Sequence, residues 1–229
     1  MDIPGVLWTK DRNEALKIQR NFAKKLNLNF ENRKIDTVGG IDLSFPQKGI
    51  ALAILTILSF KDLKMKKIIY HISKVEFPYI SGLLSFREGP IIIDLLKKVD
   101  EEIDLFFIDG QGIAHPRSFG LASHIGTLIK KPTIGIAKSH LYGKFNIPLN
   151  IKNDFKELTS SDKIIGYVLR SKENCNPIFI SPGNYIDSET SLKMVKRSIT
   201  KYKLPEPTRL AHKYSQIYKK KLFISKIND

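Results

Sequence analysis

The chain holds a single cysteine, Cys175, among its 229 residues. One thiol excludes an internal disulfide and fits a reducing compartment. The surrounding NCNP offers no base to activate it, so Cys175 reads as inert. Long apolar runs are missing too: the longest candidate, residues 50–60 (IALAILTILSF), falls short of the ~18 residues of a membrane helix. The opening MDIPGVLWTK lacks the basic-then-apolar layout of a secretion signal. The expectation is a soluble, cytoplasmic protein with no membrane partner. Internal repeats, low-complexity tracts and obvious linkers are also absent, which favours one domain over residues 1–229. Acidic residues are the scarce charge: 23 Asp and Glu face 38 Lys and Arg, a formal +15 with pI about 9.7. A field of that sign attracts polyanions, nucleic acid foremost. With 42% hydrophobic residues the chain has enough apolar material for a core, so disorder is excluded as the default.

Residues 9–28 read as a helix, because Leu16, Ile18, Phe22, Ala23 and Leu26 recur at mostly helical spacing. Strand candidates follow at 36–45, 50–60 and 65–75. PQKG separates the first two and KDLK the next two, and such short connections predict an antiparallel meander. The pattern then alternates: helix 91–99, buried strand 103–108, helix 119–129, buried strand 133–137. Alternation predicts parallel strands joined by helical crossovers. Short strands at 164–170 and 177–180 follow a polar stretch, and two helices within 188–222 divide at LPEP. This order predicts an α/β fold of the ribonuclease-H-like kind, a mixed β-sheet flanked by helices.

Three carboxylates occupy unusual settings. Asp42 lies inside the apolar strand VGGIDLSF, where aspartate is disfavoured and burial is costly. Asp109 ends the apolar run LFFID before a glycine loop, at the strand end where open α/β sheets bind ligands. Glu88 follows SFR and precedes GP, at the mouth of the next helix. Each alone serves equally well as a turn or helix-end residue. If the first strand neighbours the fourth, however, Asp42 and Asp109 converge and Glu88 reaches in. Three oxygen donors in one cleft do not all stay ionised without a cation, and Mg²⁺, with Mn²⁺ as substitute, suits them. The densest motif, DGQGIAHPRSFGLASHIG, is rich in glycine but lacks the Lys-Ser/Thr ending of a P-loop and the dinucleotide spacing.

VGGIDLSF, FPYISGLLSFREGP, LFFIDGQGIAHPRSFGLASHIG, PTIGIAKSHLYG, the GYVLRS to PIFISPGNYID region and LPEPTRLAH occur in order over about residues 38–212, and the chain thereby resembles the endonuclease V family. The resemblance implies a DNA repair endonuclease that recognises deaminated bases, deoxyinosine above all. It would hydrolyse the second phosphodiester bond on the 3′ side and leave 3′-hydroxyl and 5′-phosphate ends. It implies that Asp42, Glu88 and Asp109 hold the metal, that Lys138 in GIAKSH is the catalytic lysine, and that His212 stands near the metal. Pro78-Tyr79-Ile80-Ser81-Gly82 matches the strand-separating wedge, with Ser81 where the family usually has a second proline. Gly82, Gly110, Gly112 and Gly120 would form the base pocket, reading the base edge with main-chain groups. His115 either bonds the loop backbone or touches nucleic acid. Rival readings are an inosine-specific ribonuclease, another ribonuclease-H-like nuclease acting on hybrid or branched nucleic acid, and a non-catalytic binding protein. The last has no use for three carboxylates and Lys138.

Overall fold

The computed structural model describes residues 8–31 and 33–225, with side chains to residue 221. The first seven residues, on which the secretion-signal argument rests, lie outside the described residues. Helix α1 spans Arg12–Ala23, opened by Asp11, whose side chain accepts from Glu14 N at 2.8 Å. It is shorter than the 9–28 its apolar spacing predicts. Leu26 and Leu28 leave the helix and pack against a cluster containing Ala137, Val168 and Phe179.

Three strands follow: β1 (Thr37–Gln47), β2 (Ile50–Ser59) and β3 (Met65–Lys74), paired antiparallel as the short turns predict. Next come α2 (Leu84–Leu96), β4 (Leu105–Asp109), α3 (Leu121–Ile129) and β5 (Thr133–Ala137). β4 lies parallel to β5, as the alternating pattern predicts, and also parallel to β1, the neighbourhood on which convergence of Asp42 and Asp109 depends. β6 (Phe155–Ser160), β7 (Lys163–Leu169) and β8 (Ile178–Asn184) complete one eight-stranded sheet of order β3-β2-β1-β4-β5-β8-β7-β6. Finally α4 (Ser188–Arg197) and α5 (Glu206–Ser225) divide at the prolines of LPEP.

Alternation along the strands sends side chains to two layers. Phe106 packs with Ile41, Leu55, Ile92 and Ile125 under α2 and α3. Its neighbour Phe107 packs with Val38, Ile134, Leu192 and Val195 on the side of α4. The result is a mixed sheet with helices on both faces, the α/β architecture expected from the sequence.

Two local features aim the site. A Cβ on Gly40 would stand 2.1 Å from the Pro207 carbonyl, so glycine there lets the first turn of α5 press onto β1. Thr56 Oγ1 donates to Pro207 O at 2.9 Å and fixes that approach. The second feature corrects the sequence reading: α2 begins at Leu84, seven residues before the expected start at Ile91, and Pro90 lies within it. Pro90 takes the place of a helical N–H donor and looks like a boundary in sequence. Glu88 therefore sits inside the helix, in its second turn, and not at its mouth.

Candidate active site

Ile41 pairs with Ile108 across the parallel ladder of β1 and β4, so Asp42 and Asp109 follow in step on adjacent strands. Asp109 in turn pairs with Ile136 of β5, which brings Lys138 alongside two residues later. Both aspartates project toward the α5 side of the sheet. There α5 supplies His212, whose Nδ1 lies 3.4 Å from Asp42 Oδ2. One ligand atom from each of Asp42, Asp109 and His212 falls within 4.8 Å of the other two. Ser215, one helical turn after His212, donates its hydroxyl to Asp42 Oδ2 at 2.6 Å. Glu88 enters from α2 on the opposite face; it lines the same cleft but stands outside that tight set of three.

Asp42 is only 3% exposed. Burial, and then the neighbouring Asp109 carboxylate, push Asp42 well above the ordinary carboxylate range, against the pull of Ser215 and Lys138. Burial, with Asp109 and Asp42 adding to it, pushes Glu88 up to about 8. Lys138 forms an ion pair with Asp109. His212 is held below its ordinary value by burial and by Lys138, so at neutral pH its ring is neutral and offers a lone pair. Buried carboxylates that resist ionisation together, beside a neutral imidazole, form a donor set that a divalent cation fits, because its charge removes the repulsion that raises them.

The cleft above these groups measures about 520 Å³ and is lined by Asp42, Glu88, Asp109, Lys138 and the loop carrying Tyr79, Ser81 and Gly82. Tyr79 stands on it 74% exposed. Gly110 also lines the cleft, whereas His115 and Gly120 line a smaller recess behind it. Gly112 lies elsewhere: it packs on Pro182, whose carbonyl a Cβ would meet at 2.0 Å. The glycine N–H groups are engaged inside the protein, Gly110 to Ile136 O, Gly112 to Ser181 Oγ and Gly120 to Gly112 O.

His115 bonds the loop backbone, one of the two roles its sequence setting allows. Its Nδ1 accepts from Arg117 N at 3.1 Å, which leaves Nε2 protonated and 3.0 Å from Gly82 O. Burial holds it down to about 4, consistent with this neutral form. Gly82 O also accepts from Gln19 Nε2 at 3.0 Å and from Arg117 Nη2 at 2.6 Å. Gln19 and Arg117 are themselves joined, Arg117 Nε donating to Gln19 Oε1 at 2.6 Å. Gly82 has φ +77°, a conformation that favours glycine, so the end of the Tyr79 loop is bent and pinned at one carbonyl. The sequence gives no sign of Gln19, which is 63 residues from its partner. Ser215 was findable, because i and i+3 from His212 share a helix face.

Carboxylates meeting across two parallel strands, with a lysine beside them and an open cleft above, are the makings of a metal-dependent hydrolase of the α/β class. The family model for endonuclease V matches residues 20–213. Endonuclease V of Thermosipho melanesiensis is 51% identical over 213 residues, covering 93% of each chain. The crystal structure of the Bacillus subtilis endonuclease V superposes with TM-score 0.88 at 30% identity, over 95% of each chain. The Ciona intestinalis endonuclease V, solved with a 24mer DNA containing an inosine followed by a ribo-adenosine, superposes with TM-score 0.79 at 28% identity, over 92% of this chain and 98% of that one. The chain belongs to the endonuclease V family. Among the described residues, no helix is long and apolar enough to cross a membrane.

Proposed function

We propose that the protein is a DNA repair endonuclease that recognises deoxyinosine and hydrolyses the second phosphodiester bond on its 3′ side, leaving 3′-hydroxyl and 5′-phosphate ends. The observation that carries this reading is the shared cleft: the acidic cluster and the exposed Tyr79 loop line one cavity, so strand opening and hydrolysis have a common floor. The family membership and the inosine-containing 24mer DNA bound by the Ciona relative support the substrate.

Asp42, Asp109 and His212 would hold Mg²⁺, or Mn²⁺ in its place, with Glu88 acting from the other side of the cleft. The cation would activate water and neutralise the phosphate. Ser215 orients Asp42 for that task. Lys138 brings a positive charge to the scissile phosphate, a group placed where negative charge develops. Tyr79 fills the gap left by the extruded base, and the triple anchor on Gly82 O holds its loop in register, a constraint that offsets Ser81 standing in place of a rigid proline. Gly82, Gly110 and Gly120 serve by allowing close approach, and Gly112 by packing the loop that carries them. The whole chain acts as one domain, in the cytoplasm. The lesion remains in the strand, so other proteins complete repair.

Nicking of end-labelled duplexes tests the reading. Inosine DNA should be cut at the second 3′ bond with Mg²⁺ and plain DNA left intact. The ribo-adenosine in the Ciona complex places inosine-containing RNA in the same assay, whereas an inosine-free RNA–DNA hybrid should survive. Cutting of that hybrid without regard to inosine would return the protein to a general hybrid nuclease.

A further inference from the structure

The connection from β5 to β6 begins in the cleft and ends in a second groove. Lys138, His140 and Leu141 line the cleft. Lys144 and Phe145, a few residues on, line a groove of about 500 Å³ whose other wall is β6 with Phe155, Lys156 and Glu157. Aromatic packing joins the two spaces: the His140 ring lies 5.2 Å from the Phe145 ring, and both pack on Phe179. The groove is preformed. Gly143 turns the chain with φ +97°. Lys144 then exchanges both backbone hydrogen bonds with Thr159, at 2.8 and 2.9 Å, which fixes one wall against the other. Phe155 and Glu157 are in phase with Thr159, so their backbone groups turn to the same side, along the outer edge of β6.

The walls are aromatic and basic. Phe155 is 39% exposed; Tyr167 packs edge-on against it at 5.6 Å and Lys196 Nζ stands 4.0 Å over its ring, so the ring is held in place. Lys144 and Lys156 are exposed, and among the described residues neither enters an ion pair. Glu157 is the one acidic side chain facing them in the groove. A fixed ring beside free ammonium groups suits an unpaired nucleic-acid strand, whose phosphates take the cations and whose bases have open faces to stack. A duplex hides those faces. A peptide would use the edge of β6 but gain nothing from continuity with the cleft. We propose that this groove is a second nucleic-acid subsite, which holds an unpaired stretch of the same strand that the cleft cuts. Lys144 and Lys156 contact its phosphates and Phe155 stacks on a base. The assignment rests on the cleft being where that strand is cut, and it makes a lesion with an unpaired flank the preferred substrate.

Binding in EDTA tests it, comparing a short inosine oligonucleotide with the same one extended by about ten thymidines on its 5′ or its 3′ side. Wild type should bind one extended strand more tightly than the short one. Lys144→Gln/Lys156→Gln should lose that gain and match wild type on the short strand. Its slope of log K against log salt on the extended strand should flatten by about 1.4, two contacts at roughly 0.7 each. Lys61→Gln/Lys130→Gln removes the same charge at the opposite end of the strands from the cleft and should keep the gain. Phe155→Leu keeps apolar bulk against Tyr167 and should lose about fivefold or more on the extended strand alone. No gain for wild type on either extension, equal losses on short and extended strands, or the same loss in the Lys61/Lys130 variant overturns the subsite. Unchanged affinity of the Lys144/Lys156 variant overturns it too, and leaves the groove to an extended peptide on the edge of β6. Wild-type cutting that ignores inosine overturns the functional reading alone, because the effect of the extension is read by binding.

Discussion

Ser215→Ala isolates the support of the metal site from the site itself. The Ser215 hydroxyl is fully buried and donates to Asp42 Oδ2 at 2.6 Å, and its hydrogen bond is one of the influences that lower the Asp42 pKa. Alanine suits a helix interior better than serine, so α5 itself should not suffer. A hydrogen bond to a charged group contributes roughly 1.5–3 kcal/mol, and partners of metal ligands typically affect metal affinity by about 10- to 100-fold. The Mg²⁺ concentration at half-maximal single-turnover cutting should thus rise about 10- to 100-fold, with the rate at saturating Mg²⁺ nearly restored. The sign with pH follows from Asp42. Removing a group that lowers its pKa raises it further, so protons compete better with the metal and the defect should grow as pH falls. Inosine-duplex affinity measured in EDTA should not change. An unaltered Mg²⁺ midpoint, or a rate defect that no Mg²⁺ concentration relieves, would refute the claim that Ser215 acts through metal-bound Asp42.

Tyr79→Ala should weaken capture of inosine duplex by about 5- to 150-fold, from the loss of base–aromatic stacking, and single strands less; equal loss on both substrates would leave a stacking role but no wedge. Gly40→Ala should destabilise the fold by about 1–3 kcal/mol in urea unfolding, because its Cβ would sit 2.1 Å from the Pro207 carbonyl; an unchanged midpoint contradicts the tight α5 contact. His124, fully buried among Trp8, Phe22, Phe86 and Phe119, is held down to about 3 by burial. Between its unfolded value near 6.5 and that folded value only the unfolded chain takes up the proton, so His124 contributes a loss of stability as pH falls through this window, with none above it. His124→Leu should flatten that decline in chemical unfolding measured from pH 7 to 4; an identical slope contradicts the neutral, unpaired ring.

Much of this was legible because it is local. The apolar runs of β4 and β5 are short and flanked by turns, and the aspartates stand out against them. Convergence of Asp42 and Asp109 needed only the parallel pairing of β1 with β4, a neighbourhood the sequence left as a condition and the fold supplies. β6 was missed because it is an edge strand with Leu158 its one buried position, so it has no hydrophobic period to detect. The true start of α2 was hidden by Pro90. The roles of Gln19 and Arg117 depend on contacts 35 to 98 residues distant along the chain, for which local spacing carries no signal. The glycines illustrate a different limit: composition marks where backbone comes close, but not whether its N–H groups are already bonded within the protein.

The central claim, hydrolysis by a cation held at Asp42 and Asp109, is tested most directly with Asp109→Asn, which keeps shape and removes the charge. Single-turnover nicking of inosine duplex and inosine-duplex affinity are measured together, for wild type and variant, with saturating Mg²⁺ and with EDTA. Wild type should cut only with Mg²⁺, and Asp109→Asn should bind the duplex yet leave it uncut. Full cutting by Asp109→Asn at saturating Mg²⁺, or cutting by wild type in EDTA, would contradict the account.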